Sequence, residues 1–277
     1  MSIFVFSVVL FAASLHAIWN AVVKGGSDKL LTTVLVTTSA ALIAAVCLPF
    51  LPVPNRESWP YIGASTLLQV GYYVLVARTY HLADMSQTYP LMRGSAPLLV
   101  AITSVAFLGS NLSTSAWIGI AIICAGILAM ATSGRSTNKA GLALAFLNAG
   151  VIASYTLIDG LGVRLSGTPA AYTLWIFLLT GIPLVVWAFA ARRMAFQNYI
   201  ATNWHLGMIG GAGTIVSYGL ALWAMTLAPV AVIAALRETS ILFGTAISAL
   251  VLKEHISIVR VIAVGIIAVG AGILRFA

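Results

Sequence analysis

The chain is short of charge. Only 7% of its 277 residues are Asp, Glu, Lys or Arg, where a soluble domain carries about 25%. So few charges cannot cover a water-soluble globule of this size, and an ordinary soluble fold is excluded. Disorder is excluded too, because disordered chains are polar and charge-rich, whereas 61% of this one is hydrophobic. Cysteine is scarce: Cys47 and Cys124 both fall in apolar runs, which argues for neither a disulfide framework nor a metal site. An HExxH pair, clustered His and Cys, a G-x-x-x-x-G-K-[ST] nucleotide loop and a G-x-S-x-G nucleophile elbow are all missing. No cofactor and no metal are expected, and ATP-driven transport would need a separate subunit.

What the sequence has is long apolar runs, with a mean hydropathy of +1.06. A membrane-crossing helix needs about 20 largely apolar residues. Ten such spans can be drawn: Ile3–Val22, Leu30–Leu51, Pro60–Tyr80, Ser86–Leu108, Ser115–Thr132, Ala140–Val163, Pro169–Ala190, Trp204–Thr226, Val230–Leu252 and Ser257–Phe276. Turn chemistry separates them, as in Gly25-Gly26-Ser27-Asp28, Pro52-Val53-Pro54-Asn55 and Ser133-Gly134-Arg135-Ser136. The expected fold class is an all-α, multi-pass membrane protein of the inner (plasma) membrane. The N-terminus lacks the basic n-region of a signal peptide, so the first run is expected to be a retained helix.

The two halves resemble each other. Gly119-Ile120 and Ala125-Gly126-Ile127-Leu128 answer Gly265-Ile266 and Ala271-Gly272-Ile273-Leu274 at an offset of 146. Trp59 answers Trp204 at 145, Arg93 answers Arg237 at 144, and Ala17-x-Trp19-Asn20 answers Ala153-x-Tyr155-Thr156 at 136. These offsets predict a duplication into repeats 1–136 and 137–277. Five spans per repeat is an odd number, so the second repeat must insert upside down. That is the inverted-repeat plan of many secondary transporters, with the substrate site near the midplane.

The net charge of +8 rests on Lys and Arg scattered singly over short loops, which argues against nucleic acid and for a role in setting orientation. Loops after odd-numbered spans, with their flanks, hold Lys24, Lys29, Arg78, Arg135, Lys139, Arg192, Arg193, Lys253 and Arg260; the other side holds Arg56, Arg164 and Arg275. This bias predicts odd-numbered loops in the cytoplasm and both termini outside.

Ionisable groups inside a span cost at least about 2.5–3.5 kcal/mol and are functional candidates by default. Here they are Arg93, Asp159, Arg237, Glu238 and His16. Arg93 and Arg237 each lie about 10 Å into their helix. An Asp159–Arg237 ion pair is expected, poised to close an outer gate. Glu238 points about 100° from Arg237 and should meet another partner; it is the candidate for proton coupling. Arg93 has no embedded acid in its own half, so its counter-charge is expected to be a substrate anion, Asp84 or helix-end carbonyls. The alternative is that all four charges are structural staples between helices.

Polar residues also recur at helical spacing. His16, Trp19, Asn20 and Lys24 share a stripe, as do Tyr155, Thr156 and Asp159. The third span shows Gln69, Tyr72, Tyr73 and Tyr80; the eighth shows Thr214, Ser217 and Tyr218. Tyr89 precedes Arg93 by one helical turn. A lipid-facing stripe would be apolar, so these faces are expected to line a polar, aromatic cavity. Isolated interhelical hydrogen bonds are the plainer account of any single one.

The ten spans, the two-fold repeat and the Ala-Gly-Ile-Leu ending of each half resemble the EamA family of the drug/metabolite transporter superfamily. Four stretches, His16-Ala17-Ile18-Trp19-Asn20, Tyr89-Pro90-Leu91-Met92-Arg93-Gly94, Tyr155-Thr156-Leu157-Ile158-Asp159 and Leu236-Arg237-Glu238-Thr239-Ser240, are similar to a subgroup associated with phosphonate utilisation. The resemblance implies two inverted five-helix units around a central cavity, lined by helices one to four and six to nine. It also implies termini in the cytoplasm, against the charge bias, and cargo moved often outward.

The function expected is therefore a secondary transporter, exporting a small polar metabolite by alternating access. An amino-acid-like, zwitterionic or anionic solute fits the arginines, because guanidinium binds carboxylate and phosphonate bidentately. The runner-up is an exporter of aromatic or cationic compounds, with Asp159 or Glu238 as charge partner. A membrane enzyme using His16 and Asp159 is a third reading. The expected partners are the small-molecule substrate, the lipid bilayer and protons as the candidate coupling ion, in a monomer or weak oligomer.

Overall fold

The computed structural model describes residues 1–131, 138–251, 253 and 255–277. The expected Ser133–Ser136 break, Arg135, the junction between the two repeats and the end of the ninth span at Leu252 lie outside the described residues, as does the side chain of Tyr80.

The described residues are helical almost throughout. In chain order they form α1 (Ile3–Gly25), α2 (Lys29–Cys47), α3 (Trp59–Leu82), α4 (Met85–Leu108), α5 (Thr114–Ala131), α6 (Lys139–Ser166), α7 (Pro169–Ala191), α8 (Arg193–Met225), α9 (Val230–Arg237), α10 (Ser240–Leu250) and α11 (Ile258–Leu274). Eight segments are long and apolar enough to cross a membrane, α9 and α10 counting together as Val230–Leu250. Of the other two, α11 has 17 residues. α3 has 24 but carries Gln69, Tyr72, Tyr73 and Arg78. Large apolar side chains such as Phe4, Leu67, Phe107, Val186 and Ile262 point outward, as a bilayer solvent requires.

Local chemistry starts and stops these helices. Ser2, Asp28, Asn138 and Ser257 each accept a hydrogen bond from a backbone N–H of the helix they precede, satisfying donors that a helix start leaves open. Gly109 and Gly167 end α4 and α6 with φ of +61° and +68°, a region where glycine has no Cβ penalty.

Two spans depart from expectation. α8 begins at Arg193, eleven residues before the expected Trp204. Its 33 residues reach about 50 Å, beyond a hydrocarbon core of about 30 Å. The added turns are held by Phe196 and Tyr199, which bury against Leu31, Val34, Leu35 and Ala188. The Tyr199 hydroxyl also lies 2.6 Å from that of Thr32. The ninth span is broken: α9 stops at Arg237, and Glu238 and Thr239 form a turn before α10. There the ladder tightens to i−3, with Glu238 N–H donating to Ala235 and Thr239 N–H to Leu236.

Close packing sets helix directions. A Cβ on Gly119 would lie 2.6 Å from Leu274 Cδ2 and 3.1 Å from the Gly270 carbonyl; one on Gly126 would lie 3.0 Å from Ile266 and Ile267 side chains. α5 and α11 therefore run antiparallel with their backbones close, as small residues permit in lipid. α1 against α8 and α3 against α6 are antiparallel too. Ser217 meets Ala12 where Gly213 meets Trp19, and Gly162 meets Tyr61 where Gly141 meets Ala83.

The two ends of the bundle are tied separately. At one end Asn55 bonds to the Leu165 and Ser166 carbonyls, and Arg164 caps the end of α8 through the Met225 and Ala228 carbonyls. At the other, Asn138 donates to the Leu82 carbonyl and Arg192 pairs with Asp28 at 3.8 Å.

Candidate functional site

The embedded charges converge where α4, α6 and α9 meet. Arg93 sits on α4 between Pro90 and Pro97. Arg237 ends α9, and Glu238 opens the tight turn after it. Arg93 Nε donates to Glu238 Oε2 at 3.0 Å, and Nη2 lies 2.9 Å from Oε1. Both side chains are nearly sealed, at 9% and 6% exposure. Nη2 is close enough for an ion pair but has no well-directed hydrogen-bond acceptor. This corrects the expected counter-charge of Arg93, which is neither Asp84 nor helix-end carbonyls but an acid of the other half, 145 residues away. Asp84, the other expected partner, is exposed before α4.

The expected Asp159–Arg237 ion pair does not form. Asp159 is fully buried and accepts from two tyrosine hydroxyls, Tyr172 at 3.1 Å on Oδ1 and Tyr218 on Oδ2. Arg237 instead lies over the Tyr218 ring, 4.8 Å from its centroid, a cation–π arrangement. Tyr218 thus stands between the two charges, its face to the arginine and its hydroxyl to the carboxylate.

A narrow cleft, with room for about one water molecule, opens beside the Arg93–Glu238 pair. Its polar walls are Arg93, Tyr155, Thr156, Arg237 and Glu238; its apolar walls are Ala96, Pro97, Val100, Ile152 and Ala234. The apolar residues were missed from sequence because nothing in their type is distinctive. Helical spacing was the available signal, since 96, 97 and 100 follow Arg93 by one or two turns and 152 precedes Tyr155 and Thr156 by one.

The other expected cavity residues are placed elsewhere. Tyr72 lies edge-on to Tyr155 at 6.2 Å and to Tyr73 at 5.6 Å, making an aromatic cluster behind the cleft. Tyr89 packs with the buried group around Met92 and Ala96. Trp19 donates its indole N–H to His16 Nδ1 at 3.3 Å, and Asn20 donates to the His16 carbonyl at 2.7 Å. Gln69 donates to Ser65 at 3.0 Å. The Ser217 hydroxyl, bonded at 2.7 Å to the Ala12 carbonyl, joins α8 to α1. None of these eight side chains lines the cleft. His16 and Asp159 do not meet either, since each has other partners, so the pairing expected for an enzyme is absent among the described residues.

The comparisons with known proteins agree with this architecture. The EamA-like transporter family matches residues 3–132 and again 139–276. An uncharacterized transporter in the cobO 3' region of a Sinorhizobium species is 33% identical over 102 residues, covering 36% of this chain and 71% of that protein. A solved crystal structure of another protein superposes with a TM-score of 0.72 over 98% of this chain and 96% of the other, at 17% identity, a likeness of fold alone. With nearly its whole length matched, as transporter rather than enzyme, this multi-pass membrane chain belongs to the EamA-like transporter family.

Proposed function

We propose that the protein is a secondary carrier for a small polar metabolite bearing an anionic group, working by alternating access between two inverted five-helix repeats. The repeats are residues 1–136 and 137–277, and the ten spans are completed by α3 and α11. Several observations support this reading. The same family matches each half separately. The last helices of the halves, α5 and α11, pack antiparallel. The ties at each end of the bundle join loops that ten alternating crossings would bring together.

The observation that carries the substrate class is the cleft itself. Two guanidinium groups, Arg93 and Arg237, border it against one carboxylate, Glu238, which leaves a net positive lining. Guanidinium favours carboxylate or phosphonate, so an amino-acid-like, zwitterionic or anionic solute fits. Tyr155 adds an aromatic wall. His16, Trp19, Asn20, Gln69, Tyr72, Tyr73, Tyr89, Ser217 and Tyr218 act from a second layer, shaping the cleft. Asp159 and Tyr218 hold Arg237, and Glu238 is the group through which a proton could couple. The cationic-exporter reading is weaker because Asp159 is sealed behind two tyrosines. Export is the expected direction, from a plasma membrane.

Solute counterflow in proteoliposomes tests the reading. Preloading with an accepted amino acid or organic anion should drive transient accumulation of the labelled solute, and Arg237→Gln should abolish it. A pore gives no such overshoot, so flux without counterflow would refute the carrier.

A further inference from the structure

The Arg93–Glu238 pair has three properties that a simple helix staple does not need. It joins positions 145 apart, so one partner comes from each half of the chain. Both partners, though nearly sealed from solvent, border the cleft. The pair is also unsaturated: Arg93 Nη2 is buried beside the cleft without a well-directed acceptor, although Glu238 Oε1 is 2.9 Å away.

We propose that Arg93 and Glu238 are the two poles of a zwitterion site that closes on itself between substrates. The substrate is an amino-acid-like molecule whose anion takes Arg93 and whose ammonium takes Glu238. This rests on the transporter reading above and narrows its substrate class. The reason is charge compensation. Removing one partner of a buried ion pair strands the other charge in a low-dielectric site. An organic anion that captured Arg93 would strand Glu238, and an amine that captured Glu238 would strand Arg93. A molecule carrying both charges replaces both partners, and the site stays neutral throughout.

The surroundings fit that division. Asp159 cannot serve the ammonium, because it is fully buried and accepts from Tyr172 and Tyr218. Glu238 is the acid at the cleft. Arg237 sits beside it with its face on the Tyr218 ring, where it adds a second contact for the anion and biases that end toward negative charge. Tyr155 and Thr156, from α6, form the facing wall.

The test is thermal unfolding of the detergent-purified full chain. The ligands are a panel of common amino acids, each beside its deaminated acid and its decarboxylated amine. A ligand that binds the folded state alone raises the unfolding temperature. In at least one series the amino acid should act at a concentration about tenfold or more below either single-charge analogue. Arg93→Gln should remove its effect. In Glu238→Gln the preference should reverse toward the deaminated acid, a gain that misfolding cannot produce. If the deaminated acid matches its amino acid on the unaltered protein, or the reversal fails to appear in a folded variant, the proposal is overturned while the carrier reading stands. If no amino acid stabilises the protein, the proposal also falls. The carrier reading is judged separately by counterflow and falls only if that fails too.

Discussion

At the scale of single residues the membrane interior makes each charge consequential. Removing one member of a buried ion pair costs about 3–5 kcal/mol, whereas replacing both with apolar residues of similar volume is near neutral. Arg93→Met alone should therefore lower stability by about that amount, and Arg93→Met combined with Glu238→Met should restore it while leaving counterflow abolished. Unfolding of the two variants in detergent, beside transport, separates the pair's structural share from its functional one. Tyr218 has two jobs that can be split. Tyr218→Phe keeps the ring under Arg237 but deprives Asp159 of a donor, and should cost about 1–3 kcal/mol of stability. Tyr218→Leu should lose transport as well, read as a raised KM for an anionic solute.

Embedded charges were legible in the sequence because their cost singles them out. Their pairing was not. Glu238 was expected to meet a partner other than Arg237, but nothing in the sequence named Arg93, 145 residues away, as that partner. A helix turns about 100° per residue, so the adjacent Arg237 and Glu238 face different partners, Tyr218 and Arg93. Asp159 misled for a related reason. Its nearest opposite charge in the repeat scheme was Arg237, but Tyr172 and Tyr218 reach it first.

At the scale of elements, glycine marks the close approaches that matter. Gly270 faces the backbone of α5, where an added Cβ would lie 3.0 Å from the Gly119 carbonyl and the Ile123 nitrogen. Gly270→Ala should overpack this contact and cost about 1–3 kcal/mol. Gly265 lies on the same helix with nothing within 4 Å, so Gly265→Ala should be neutral or stabilise by up to about 1 kcal/mol. Thermal unfolding of the two variants side by side checks both signs. The break between α9 and α10 carries no proline or glycine, and the sequence therefore read it as continuous. It is held by packing and by the Thr239 hydroxyl, which bonds back to the Leu236 carbonyl at 2.7 Å. The early start of α8 escaped notice because residues 193–203 mix polar with apolar types. Their amphipathic face gains its partners only once α2 and α7 are alongside.

At the scale of the whole molecule, the uneven Lys and Arg distribution predicts which end faces the cytoplasm. A cysteine at Lys29 should resist a membrane-impermeant thiol reagent in intact cells, and one at Arg56 should react, with Cys47 and Cys124 replaced. The opposite pattern would place the termini inside, as the family resemblance implies.

The sequence by itself determined the solvent. Too little charge for water and enough apolar length for repeated crossings leave a helical membrane protein, since only a structure that satisfies its own backbone can span hydrocarbon. It also determined the family, through matches that run along the chain and need no contact information. Which charges neutralise one another was decided by the tertiary structure alone. Glu238 lies 145 residues from Arg93, and Tyr218 lies 59 from Asp159; over such separations neither helical periodicity nor local propensity says which side chains will meet. Helix packing does, by bringing α4 against α9 and α6 against α8 at one register.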